Sequence, residues 1–322
     1  CDCRYFVWLY RPTDSYQIMN SALPTLPPLV GLDDDANISI AGRSLWADAR
    51  RRFLRNRAAV ISLVVLAIIV TVCLLGSTLS PYAYDDPDFA AMHNAPDTQT
   101  QHWFGTDNLG RDLFVRTLLG GRISLMVGAL GALVAVLIGT LYGATAGFVG
   151  GKTDSVMMRF LEILASFPIM FLVILLMTLF GRDLWLIFVA IGAVSWLDMA
   201  RIVRGQTLSL KRKEFVEAAH VAGVSTTRII VRHIVPNVLG LVAVYATLLV
   251  PSMILFESFL SYLGLGVQEP TTSWGALLEQ GAKSIEVAIW ELIFPAGFLV
   301  TTLFCFNFIG DGLRDALDPK DR

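Results

Sequence analysis

Charge is the first scarcity of this sequence. Asp, Glu, Lys and Arg make up 16% of its 322 residues, against about 25% in an ordinary soluble domain. The net charge of -2 holds no basic excess, which argues against nucleic acid as a partner. Cysteine is scarce too. Cys1 and Cys3 form an incidental terminal pair, and Cys73 and Cys305 lie inside apolar runs; neither a disulfide framework nor a metal-ligand spacing results. No H-E-x-x-H or G-x-S-x-G string occurs, and His93, His102, His220 and His233 are scattered over loops. No catalytic, cofactor-binding or metal-binding residue is therefore assigned. Gly151-Lys152-Thr153 ends like a Walker A loop, but Ala146 stands where the first glycine is required and no strand precedes it. It reads as a tight connection between two apolar runs.

Apolar residues are what the chain has in excess: 55% of the total, with a mean hydropathy of +0.61. Several runs approach the roughly 20 residues that cross about 30 Å of hydrocarbon. Six spans are predicted in an all-α membrane protein: Ala58 to Leu79, Ile123 to Phe148, Val156 to Phe180, Leu184 to Ile202, Val238 to Leu260 and Val287 to Ile309. Pro168, Pro251 and Pro295 fall inside three of them, as packing kinks or as gating hinges. Before the first span, residues 42–57 read as an amphipathic cytoplasmic helix: Ser44 can cap it, Leu45, Trp46, Ala49 and Phe53 share a face, and Arg50, Arg51, Arg52, Arg55 and Arg57 supply charge. Residues 1–41, with Pro24, Pro27, Pro28 and the run Asp33 to Asp35, read as a disordered tail. The patch Tyr5 to Tyr10 is too short for a signal peptide, so the first span is expected to be the insertion signal. Residues 80–121 are expected to form one external loop.

Taking the side of Arg57 as internal and alternating thereafter, 18 Lys and Arg fall on internal segments. Five, Arg111, Arg116, Arg122, Arg182 and Lys283, fall on external ones, and Arg4 and Arg11 are distal. Both termini are accordingly predicted to be cytoplasmic. Acidic residues inside spans are few. Glu162 and Asp198 lie toward internal ends, and Asp198 stands three residues from Arg201, the spacing of a structural ion pair on a helix. Glu257, beside Ser258 and Tyr262, can line a passage or reach the interface. Asp198, Arg201, Glu257 and Ser258 are the candidates for a translocation path or gate.

The internal loop 205–237 carries most information. Phe215, Ala218, Ala219 and Ala222 can share one helical face, Gly223 can adopt a left-handed terminus, Ser225 can cap a second helix, and Pro236 is expected to end it. Such a hairpin either packs on its own bundle or stands out toward a partner. The string Glu217-Ala218-Ala219, then Gly223, then His233-Ile234-Val235-Pro236 resembles the EAA loop of ABC importer permeases. That family commonly has Ile and Leu where His233 and Val235 stand, and the His-Ile-x-Pro-Asn ending resembles its peptide-importer branch. Phe104-Gly-Thr-Asp-Asn-Leu-Gly-Arg-Asp112, Phe259-Leu-Ser-Tyr-Leu-Gly-Leu-Gly266 and Gly310-Asp-Gly-Leu-Arg-Asp-Ala-Leu-Asp-Pro319 extend the resemblance, from about Gly42 to Arg322, to the C-type permeases of bacterial oligopeptide importers. Locally, the first of these strings also reads as a turn with Asp112 capping the following helix.

The resemblance implies a type I ABC importer permease fold in a bacterial inner membrane. It implies a homologous second permease subunit, two cytoplasmic ATPase subunits that bind ATP and Mg, and a periplasmic or extracellular peptide-binding protein as partners besides the lipid bilayer. This chain itself would be no enzyme and hold no cofactor. Glu214, Phe215, Glu217, Ala218, Ala219, Gly223, Val224 and Pro236 would form the ATPase-docking loop. Dipeptides, nickel chelates or another small solute are the alternative cargo, and an ion-driven carrier the alternative mechanism.

Overall fold

The computed structural model describes residues 45–181 and 184–317, all helix and loop. The tail 1–41, Ser44 as a cap, and Asp318 with Pro319 lie outside the described residues. Helix α1 spans Leu45–Arg55 and is separated from α2, Arg57–Leu79, by Asn56 alone, whose side chain accepts from the Ala59 N–H. The amphipathic element therefore stops two residues before its predicted end, because asparagine supplies the next helix with a cap. Helix α3, Leu113–Val149, begins ten residues before the predicted span. The external loop thus ends at Asp112, not at residue 121.

Helices α4, Gly151–Ser166, and α5, Ile169–Phe180, meet at an angle of 75°. Pro168 does not kink a continuous span here. It and Phe167 are extended, the conformation that a proline imposes on its predecessor and that breaks a helix. Helix α6 covers Leu184–Leu210 and α7 covers Glu214–Val221. Helix α8, Thr226–Ile229, continues through a π-helical turn, Ile230–Ile234, into α9, Val235–Tyr262. Pro236 does not end this helix. It follows a turn in which the Val235 N–H reaches back five residues to the Ile230 carbonyl; the wider coil accommodates a ring that would otherwise meet a carbonyl four residues earlier. Helices α10, Trp274–Lys283, and α11, Trp290–Leu317, complete the chain, and Pro251 and Pro295 sit inside α9 and α11.

Four of these stretches, within α2, α3, α8 to α9, and α11, are long and apolar enough to cross a bilayer, and the bent pair α4 and α5 makes a fifth if it crosses as one. The protein is a multi-pass membrane protein. Contacts sort the helix termini into two ends. At the basic end, Lys211 reaches the Phe148 carbonyl, a Cβ on Gly312 would meet Ala59, and one on Gly240 would meet Leu317. At the loop end, Gly76 packs on Leu118 and Gly105 on Trp290.

Helices α3 and α6 pack with backbones in contact. A Cβ added to Gly139, Gly143 or Gly147, one turn apart on α3, would come within 2.7, 2.3 and 2.9 Å of Met199, the Ala200 carbonyl and the Arg204 carbonyl. Small residues at this spacing are how membrane helices approach closely.

Candidate functional site

The hairpin at the basic end is anchored before it begins. Arg204 donates to both Asp154 carboxylate oxygens at 2.5 and 2.6 Å, and Lys211 Nζ donates to the Phe148 carbonyl at 2.5 Å. The ends of α3, α4 and α6 are thereby joined. From this base α7 turns one side inward. Val216, 2% exposed, is buried with Ala144, Phe148, Val203, Ile229, Ile230 and Ile234, and Ala219 and Val224 pack against them. The opposite side stands free: Glu214, Glu217, Ala218 and Ala222 are exposed, Phe215 is 41% and Val221 88% exposed.

The hairpin therefore packs on its own bundle with one face and leaves the other exposed. The predicted four-residue face divides, since Ala219 turns toward the core while Phe215, Ala218 and Ala222 do not. Gly223 has φ +76°. The Val224 N–H donates to the Ala219 carbonyl and the Gly223 N–H to the His220 carbonyl, at 3.1 and 3.0 Å, which closes α7 with the six-to-one bond of a glycine-terminated helix. Ser225 stands at the cap position of α8 with extended backbone, but its side chain makes no capping hydrogen bond; it contributes its carbonyl, which accepts from the Ile229 N–H. Pro236 is exposed and, with Ser225, Thr227, Arg228, Val231 and Arg232, lines an open groove of about 600 Å³.

The acidic candidates separate into two kinds. Asp198 pairs with Arg201 at 2.8 Å, and Glu162 with Arg159 at 3.1 Å, both on exposed helix surfaces. Glu257 does not reach the surface of the chain: it is fully buried, accepting from Ser124 Oγ at 2.9 Å and Ser261 Oγ at 2.7 Å, and Ser258 is buried beside it.

At the loop end, the string from Phe104 to Asp112 is a structural clasp. Asp112 accepts from the Val115 N–H, the predicted cap of α3, and its other oxygen lies 2.9 Å from His102 Nδ1. Thr106 Oγ1 donates to the Ala91 carbonyl, and Phe104 stacks on Phe294 at 4.0 Å. Asp107 is buried and accepts from the Leu109 and Arg111 N–H groups and from Arg111 Nε at 2.8 Å, with Arg116 Nε at 3.2 Å. Arg111 Nη2 then donates to Glu269, which also accepts from Gln280. A Cβ on Gly110 would fall 1.7 Å from the Asp88 carbonyl oxygen. Arg116 and Glu269 were absent from the sequence-based candidates. The available signal was two arginines, Arg111 and Arg116, beside an apolar run with two acids, Asp107 and Asp112, close to them in the sequence.

The Arg111 hydrogen bond, ahead of the cost of partial burial, holds the Glu269 carboxyl below its ordinary value. A depressed folded value contributes stability that is whole above the unfolded value, about 4.3, and is lost as pH falls through the folded one. The difference in amide exchange across residues 104–112 between the native chain and Glu269→Gln is therefore expected to stay constant from about pH 7 to pH 5 and to shrink below about pH 4. A difference that vanished already at pH 6 would contradict this linkage.

Residues 135–322 match the family described as binding-protein-dependent transport system inner membrane component, and residues 44–96 match the N-terminal TM domain of oligopeptide transport permease C. Among relatives, the oligopeptide transport system permease protein OppC of Escherichia coli K12 is 71% identical over 88% of this chain and 94% of its own length. That of Haemophilus influenzae is 66% identical over 88% and 92%. The dipeptide transport system permease protein DppC of Bacillus subtilis is 46% identical over 87% of each. The first matched segment takes in the whole hairpin, and the chain belongs to the family of binding-protein-dependent transport system inner membrane components.

Proposed function

We propose that the chain forms, with a homologous second permease, the passage by which oligopeptides enter a bacterial cell, driven by ATP and Mg bound in two separate cytoplasmic ATPase subunits and fed by an external peptide-binding protein. It is a permease subunit and performs no hydrolysis itself. Helix α6 is the fourth span in chain order and brings the total to six, the pair α4 and α5 crosses as one, and the basic end with both termini is cytoplasmic in the inner membrane. The gathering of Lys152, Lys211, Arg212, Lys213, Arg228 and Arg232 at that end supports this orientation. Helix α1 lies along the cytoplasmic leaflet.

The observation that carries the reading is the two-faced hairpin. Glu214, Phe215, Glu217, Ala218, Gly223 and Pro236 meet the ATPases, while Val216, Ala219 and Val224 key the hairpin to the long helices. Closure of the ATPases on ATP then pushes an element that cannot slip, and α3, α6 and α9 tilt with it. Asp198 and Arg201 border the passage, where a charged pair keeps water instead of meeting lipid. Glu257 and Ser258 serve the gate from within. A carrier driven by ions is less well supported, since Asp198 and Glu162 are each matched by an arginine on the same helix.

Proteoliposomes holding this chain with its companion subunits are expected to accumulate labelled oligopeptides only with internal ATP and the binding protein, and to tolerate ionophores. Uptake abolished by ionophores and indifferent to ATP would point to the carrier instead. Peptides of graded length, compared in the same vesicles, distinguish oligopeptide from dipeptide cargo.

A further inference from the structure

A carboxylate buried in a membrane protein is costly unless donors surround it. Around Glu257 the donors point inward along two chains. Ser273 Oγ donates to Ser261 Oγ at 3.2 Å, Ser261 Oγ donates to Glu257 at 2.7 Å, the Trp274 N–H donates to Ser124 Oγ at 3.2 Å, and Ser124 Oγ donates to Glu257 at 2.9 Å. Three elements, α3, α9 and the first turn of α10, converge on one side chain. The same Ser273 caps α10 by accepting from the Ala276 N–H, and buried Trp274 donates to the Thr117 carbonyl. The contact admits no side chain between the elements: a Cβ on Gly275 would lie 2.4 Å from Ser258 Cα.

Helix α9 begins directly after the π-helical turn of the hairpin, and Glu257 lies near its far end, about 30 Å away at 1.5 Å per residue. Helix α10 in turn carries Gln280, which donates to Glu269 of the clasp. One helix thus has the cytoplasmic hairpin at one end and, through Glu257, the external clasp at the other.

We propose that Glu257 is a positioning residue that transmits displacement between α9 and the external surface formed by α10 and the clasp, so that docking of the peptide-binding protein outside is felt by the ATPases inside. This rests on the transport function proposed above and adds to it a residue through which the two sides communicate. A hydrogen-bonded carboxylate suits the task because its bonds specify one register of α10 on α9, whereas apolar packing alone tolerates sliding.

The test uses the complete complex in nanodiscs, reading basal ATPase and its stimulation by the peptide-loaded binding protein. In Glu257→Leu, stimulation is expected to fall about tenfold, within the usual range of coupling between distant sites, with basal activity retained. Glu257→Gln is expected to keep most of it, since the serine hydroxyls can rotate to satisfy an amide. A leucine variant stimulated like the native complex overturns the proposal. Should that variant not assemble, Ser124→Ala and Ser273→Ala decide: each is expected to lower stimulation about threefold, and full stimulation in both also overturns it. Absence of stimulation in the native complex would instead refute the transport function itself.

Discussion

Gly223→Val is expected to lower ATP-driven peptide uptake by about tenfold or more, while the complex still assembles and hydrolyses ATP. The reason is conformational and not steric, since a Cβ at this position meets nothing within 4 Å. A left-handed backbone costs an L-residue about 1–2 kcal/mol and a β-branched one more. About 2 kcal/mol is a thirtyfold shift away from the closed hairpin. What is lost is the bond from the Val224 N–H to Ala219, which turns α8 back under α7 and sets Val216 and Val224 into the core. On the docking role proposed above, an unlocked hairpin still touches the ATPases but moves without moving α3, α6 and α9. Gly223→Asn separates this account from general damage, because asparagine tolerates the left-handed region and should retain most uptake. Equal loss in both variants, read as uptake per ATP hydrolysed, would argue for a side-chain clash with the ATPase instead.

Asp107→Ala carries the largest expected cost in stability. Asp107 neutralises two guanidinium groups that are themselves buried, Arg111 and Arg116. With it gone they share Glu269, whose side chain is half exposed. Removing one partner of a buried pair costs about 3–5 kcal/mol, because the remaining charge stays out of water. Asp107→Asn should cost less, since an amide oxygen can still accept from the Leu109 and Arg111 N–H groups. Thermal unfolding in nanodiscs reads the difference, and an alanine variant as stable as the native chain would show that water already reaches these arginines.

How far the sequence disclosed this arrangement depends on how local each cause is. The start of α3 was legible from Asp112, whose capping bond spans three residues. The extent of the loop before it was not: Arg116 and Arg122 gave residues 113–121 the look of a solvated segment, yet Arg116 is fully buried, and beyond the nearby Asp107 its second acid Glu269 and its acceptor Gln280 stand far away in the sequence. Prolines misled for a related reason. Pro168 and Pro236 bring the same intrinsic restriction, but Pro236 follows a π-helical turn and Pro168 follows an extended residue. The hairpin's left-handed glycine was readable, being a property of one residue. Which side of α7 turns inward was not, because Ala218 and Ala219 are chemically alike and only the core made by Phe148, Val203 and Ile230 distinguishes them. The Gly139, Gly143 and Gly147 stripe was visible as spacing, but its partner on α6 became evident only in three dimensions.

The turn at Ile230–Ile234 contains one residue more than an α-helical turn would hold, and one residue of helix is about 100° of azimuth. The wider turn absorbs that residue, so deleting it there would restore an ordinary coil and leave the greasy surfaces on either side pointing as before. Deleting one from the regular turns of α9 instead would swing the whole arm through roughly a quarter of a circle.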